Sequence, residues 1–192
     1  DTIRKGDSFG EILERNHVGY PQIFNIAEKA KDTAAMFVSS LMMGQGQFCT
    51  SPGIWVVTKD QHYNQFEQEA IVELSKQAPG VMLTQAIKSA YDDSVSLWKS
   101  LSGVSCIAQG QQGKEYQCRA ALFQCDLATF MSHNALQAEV FGPAALIVTC
   151  EDHAQMEQTV TLLKGNLTAT IHAEPSDHEL AKPLSLALAH KV

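Results

Sequence analysis

"MMGQGQFCTSPGIWVV", residues Met42 to Val57, holds a cysteine between two bends. A cysteine that only fills space normally sits among apolar neighbours on a helix or strand. Cys49 instead follows Gly-Gln-Gly-Gln-Phe and precedes Thr-Ser-Pro-Gly. Upstream, "NIAEKAKDTAAMFVSSLMM" (25–43) places Ile26, Ala30, Ala34, Phe37, Val38 and Leu41 at three- and four-residue steps. That is the spacing of an amphipathic helix, and Gly44 and Gly46 end it. Downstream, "GIWVVT" predicts a short buried strand. A helix, a glycine turn and a strand in that order present a thiol to something outside the core.

The same alternation runs on through the chain. Residues 61–77 and 82–101 read as helices parted by Ala78-Pro79-Gly80. "GVSCIAQ" (103–109) and "CRAALFQC" (118–125) read as strands around the polar turn "GQQGKEYQ". "LATFMSHNAL" (127–136) predicts a short helix, and "AALIVTC" (144–150) a strand covered on both faces. A helix over 152–164, a strand over "NLTATIHA" (166–173) and a last helix over 176–190, carrying Pro183, complete the pattern. The first twenty residues show no period. Strands alternating with helices predict an α/β fold with a largely parallel sheet flanked by helices. With no repeat and no low-complexity stretch, the 192 residues read as a single domain.

A hydrophobic fraction of 45% and a charged fraction of 18% belong to an ordinary globular chain. The formal charge of −7, with no run of lysines or arginines, argues against nucleic acid as a partner. No apolar run reaches the length of a membrane span, and "DTIRKGDSFG" has no apolar leader core, so no membrane partner is expected. The five cysteines, 49, 106, 118, 125 and 150, contain no CxxC pair and suit a reducing cytoplasm. Cys118, Cys125 and Cys150 lie in β-like runs and are expected to be packed thiols. The seven histidines form no HxxxH or HxxH pair, so no metal site is expected. His172 is expected to pack at a strand end, Asp92-Asp93 to face solvent, and Trp55 and Trp98 to lie in the core or an interface.

Around Cys49 the glycines and the Pro-Gly let backbone approach a ligand, and amides beside a nucleophile can hold a developing oxyanion. A helix ends, rather than begins, before Cys49, so its dipole gives the thiol no help and a base must come from elsewhere. Taken alone, Glu139 in "LQAEVFGPAALIV" (136–148) is a solvated carboxylate at a turn leading into a strand. Taken together, "GQGQFCTSPG" and, ninety residues after the cysteine, the glutamate of "AEVFGP" resemble the catalytic domain of the aldehyde dehydrogenase superfamily. The Phe-Cys-Thr-Ser-Pro-Gly form resembles the branch that oxidises α-ketoglutarate semialdehyde (2,5-dioxovalerate). "AALFQCD", "LATFMSHNALQAEVFGPAALIV" and "LLKGNLTATIHAE" support it, and the resemblance covers about residues 21–192.

The resemblance implies that Cys49 attacks an aldehyde carbonyl, with the oxyanion held partly by its own backbone N–H. It implies a thiohemiacetal, loss of hydride to NAD or NADP, and a thioester that water hydrolyses. Glu139 matches the glutamate that holds the nicotinamide ribose hydroxyls, and Phe141 the aromatic residue packed near that end of the cofactor. A small aldehyde is the implied substrate, and a homo-oligomer the implied state of the full-length parent. The family's amino-terminal dinucleotide domain and its carboxyl-terminal segment have no counterpart here, so 1–192 is expected to be one partial catalytic domain, inactive alone. An excised domain, a truncated gene product and a natural remnant all fit that expectation. The family's general-base motif is not matched: "LERNHVGY" precedes Pro21, and Glu14 is out of register. Two other readings stay open. One is a non-catalytic scaffold derived from this fold, and the other a cysteine hydrolase using His172 or His178 as base.

Overall fold

The computed structural model of the chain describes residues 23–24, 30–60, 62–173 and 177–192. The readings placed on Glu14 and Pro21, and the start of the first helix at 25–29, lie outside the described residues. In chain order the elements are β1 (Ile23–Phe24), α1 (Ala30–Met42), β2 (Ile54–Thr58), α2 (Tyr63–Ser75) and β3 (Gly80–Val81). Next come α3 (Gln85–Ser100), β4 (Ser105–Gln109), β5 (Gln117–Cys118), β6 (Ala121–Asp126) and α4 (Leu127–Ser132). The order ends with β7 (Ala144–Cys150), α5 (His153–Leu162), β8 (Ile171–His172) and α6 (His178–Leu188). Three helix starts are capped from the sequence: Thr84, Asp126 and Asp152 accept hydrogen bonds from the backbone N–H of Ile87, Thr129 and Gln155. The Thr129 amide also holds the Asp126 carboxyl below its ordinary range.

β7 is the spine. All seven of its residues are buried, as its unbroken apolar run requires. It pairs in parallel with β2 on one side and β6 on the other, and β4 closes the β6 edge antiparallel. The largely parallel sheet is therefore as expected, with one reversed edge strand. Side chains alternate across it with period two. Trp55, Val57, Ala145 and Ile147 meet Phe37, Leu41, Phe66 and Leu74 of α1 and α2. Leu146 and Val148 face the other way, with Phe123, toward Tyr91, Trp98 and Phe130 of α3 and α4. Phe37 and Trp55 meet tilted at 54° with ring centroids 3.9 Å apart, and Trp98 meets Phe123 edge-on at 5.3 Å. Both tryptophans are core residues.

Three local readings are corrected. The helix over 127–136 is two pieces, because His133 is extended (φ −124, ψ 93) and 134–137 winds on as a 3-10 turn. Of the strand over 166–173 only Ile171–His172 forms, paired in parallel with β1. Ahead of it, Asn166 donates its backbone N–H to Lys191 O and its side chain to Lys164 O, which uses the polar groups outside any sheet. The strand over 118–125 is broken at Arg119–Ala120: Cys118 belongs to β5, which pairs antiparallel with β3, and the rest falls in β6. Cys118, Cys125 and Cys150 are buried thiols, and burial pushes Cys125 up to about 12. Asp92 and Asp93 face solvent.

Candidate active site

Parallel pairing decides where the two sequence motifs meet. β2 and β7 run side by side in the register Ile54↔Leu146, and Leu146 N–H donates to Gly53 O at 2.9 Å just ahead of the ladder. The turn leading into each strand must therefore lie at the same edge of the sheet. Cys49 stands five residues before Ile54, and Glu139 five before Ala144. Both line one cleft of about 480 Å³. It opens at the amino ends of the strands, opposite the carboxyl edge where open parallel sheets usually hold ligands.

The two turns touch backbone to backbone. Gly46 has φ +66, and a Cβ there would lie 2.3 Å from the carbonyl carbon and oxygen of Gly142. Only a glycine has the conformation and the room. On the far side of Gly142 a Cβ would meet the Tyr91 ring at 2.3 Å. Tyr91 O–H donates to Arg119 O at 2.7 Å and to Pro143 O at 3.3 Å, so α3 anchors the second turn. Burial raises the Tyr91 phenol well above its ordinary value, which keeps that proton in place. After Cys49, Trp55 Nε1 donates to Pro52 O at 2.8 Å and ties the turn to the core.

Within this frame Cys49 is exposed and lines the cleft. Cys106 is exposed too, but it lies on the edge strand β4 and does not line the cleft. Partial desolvation of the sulfur by its neighbours still raises its thiol. The Glu139 side chain is exposed in the cleft wall and engages no other side chain among the described residues. Phe141 is half-buried in the turn and is not part of the cleft lining. The structure thus brings Cys49 and Glu139 to one hollow and leaves the Phe141 ring outside its wall. No histidine lines the cleft among the described residues, and burial pushes His172 down to about 4. A Cys–His pair with His172 or His178 is not assembled.

The opposite wall comes from 163–170 and from Gln137, whose Oε1 accepts the Lys164 backbone N–H at 3.0 Å. Neither Gln137 nor Tyr91 was singled out in the sequence, and nothing in their spacing points to the site. The paired glycines at 46 and 142 were visible, but their contact was not.

This chain is 36% identical over 167 residues to alpha-ketoglutaric semialdehyde dehydrogenase 2 of Azospirillum brasilense, an overlap of 86% of this chain and 32% of the relative. It is 37% identical over 164 residues to the alpha-ketoglutaric semialdehyde dehydrogenase of Acinetobacter baylyi, covering 84% of this chain and 30% of that one. The chain belongs to the aldehyde dehydrogenase superfamily. Solved aldehyde dehydrogenase structures share its fold. The NAD-dependent benzaldehyde dehydrogenase of Corynebacterium glutamicum matches with a TM-score of 0.70 at 14% identity, over 90% of this chain and 42% of that one. The betaine aldehyde dehydrogenase of Staphylococcus aureus matches with 0.73 at 16%, over 88% and 36%. No protein-family model matches the chain. The chain spans about a third of the length of the curated relatives it matches.

Proposed function

We propose that residues 1–192 are one partial catalytic domain carrying the nucleophile side of an NAD- or NADP-dependent aldehyde dehydrogenase, acting on α-ketoglutarate semialdehyde. The observation that carries the reading is the shared cleft: Cys49 and Glu139, ninety residues apart, stand at one sheet edge on turns locked through Gly46 and Gly142. The names of the two curated relatives supply the substrate, and the NAD+ complex of the Staphylococcus aureus enzyme supports the cofactor.

Cys49 Sγ, as thiolate, attacks the aldehyde carbon. The S–C bond forms, and the carbonyl π pair moves to oxygen, which accepts a hydrogen bond from the Cys49 backbone N–H. The chemistry that NAD or NADP supplies when bound is acceptance of the hydride leaving that carbon. Cys49 is left as a thioester. Water adds to it, the C–S bond breaks, and a carboxylic acid departs from the restored thiol. Glu139 suits the cofactor's ribose, since an exposed carboxylate with no side-chain partner can accept hydrogen bonds from two neighbouring hydroxyls. Phe141, two residues on in the same turn, would pack near the nicotinamide end of that cofactor. The chain works in the cytoplasm, and its full-length parent self-associates.

The test compares this chain with a polypeptide of the relatives' full length that contains it, offering α-ketoglutarate semialdehyde with NAD or NADP. Reduced cofactor should appear with the longer protein and vanish with Cys49→Ala. Glu139→Gln should raise the KM for cofactor about tenfold, the worth of hydrogen bonds to a charged acceptor. Undiminished turnover by Cys49→Ala would overturn the assignment.

A further inference from the structure

The turn before Cys49 has a backbone that the core does not explain. Gly44, Gln45 and Gly46 are three consecutive left-handed residues, with φ of 56, 59 and 66. Gln45 is the one non-glycine among the described residues with positive φ. Such a residue persists only where its surroundings hold it. Its side chain fills the space a Cβ would occupy on Gly80, whose ideal Cβ position is 1.9 Å from Gln45 Cδ. Cys118, the register partner of Gly80, closes the seat, with Sγ donating to Gly80 O at 3.4 Å and lying 4.0 Å from Gln45 Oε1.

Gln47 grips the same segment two residues on. Its Oε1 accepts the Leu83 N–H at 2.9 Å, while its Nε2 donates to Gly44 O at 2.9 Å. A glutamine can do both at once; a carboxylate lacks the donor and an ammonium the acceptor. Leu83 is 74% exposed, so this bond is not a by-product of burial. Between the two glutamines sits Gly46, resting on Gly142.

We infer that residues 80–83 brace the cysteine turn, with Gln45 and Gln47 as positioning residues that fix where Cys49 Sγ stands over the cleft. The inference rests on Cys49 being the nucleophile, but its test needs no turnover. In a Cys106→Ser background Cys49 is the exposed thiol, and a nitroxide label attached there reports its mobility. The label should give an immobilised spectrum. Gln45→Gly, which suits a left-handed turn, should keep or raise the melting temperature and still lose that immobilised component. Gln47→Ala should lose it too, and should remove the hydrogen-exchange protection of the Leu83 amide. Gln47→Glu, which keeps the acceptor but loses the donor to Gly44 O, should restore the Leu83 protection and only part of the immobilised component.

A label already mobile in the unsubstituted turn, or equally immobile in Gln45→Gly and Gln47→Ala, overturns the brace and leaves the assignment of Cys49 standing. Mobility that follows the melting temperature rather than the rescue overturns it as well. Loss of the Cys49 assignment would come instead from the turnover assay.

Discussion

Strand β7 and the turn at 43–53 lie next to each other and are held by opposite means. Every residue of β7 is buried, and its position follows from side chains packed on both faces of the sheet. The turn leaves Cys49 exposed and Phe48 half exposed. It owes its position to left-handed glycines, a backbone contact with Gly142 and hydrogen bonds to Pro52 O and Leu83 N–H. A group that must meet a ligand cannot be fixed by burying it. Here the precision comes from backbone geometry, while the sheet beneath supplies the stability.

The largest effect expected on that contrast is at the core. Trp55→Ala, emptying the space against Phe37 and Phe66, should cost about 4 kcal/mol in denaturant unfolding. Gly46→Ala should come next, at about 3 kcal/mol, because its methyl collides with the Gly142 backbone and the φ is left-handed. A cost near zero would mean that the two turns are not locked, and the contrast would fail. A pH dependence lies between core and rim, at His172 beside Phe37. Burial pushes this imidazole down to about 4 from an ordinary 6.5. Between those values the unfolded chain binds a proton that the folded one refuses. Stability is therefore intact above about pH 6.5 and falls toward pH 4, by roughly 2 kcal/mol. Unfolding curves across that window should show the slope, and His172→Gln should flatten it. The smallest change belongs to Cys49→Ser, which should move stability by less than about 0.5 kcal/mol while abolishing turnover of the full-length enzyme.

The sequence was most legible where one residue pattern had one structural solution. The run 144–150 could only be a strand covered on both faces, and Gly44 and Gly46 could only stop a helix. The alternation of elements sufficed for the parallel sheet, but not for the reversal of β4, since strand direction leaves no mark on side-chain periodicity. Residues 166–170 carry β-branched threonines, yet Asn166 bonds to Lys191 O and Lys164 O, and the stretch lines the cleft rather than forming a strand. Two-residue pairings such as Gly80–Val81 with Gln117–Cys118 are too short for any period to reveal. Of the residues that line the cleft, Cys49 and Glu139 were singled out through motifs. Tyr91, Gln137 and the two glutamines act through carbonyls and amides far away in sequence, which no local spacing announces. Phe141 shares the motif with Glu139, but it is not among the residues that line the cleft.

The contact between Gly46 and Gly142 also sets a timetable. These residues are separated by 96 positions, so on a translating ribosome the first is made roughly 5–20 s before the second. Throughout that interval the nascent thiol has neither its neighbouring strand nor its opposing loop. Local helices can form early, but long-range closure comes last. A polypeptide released before residue 142 would carry the exposed Cys49 sulfur without the glycine contact that frames it.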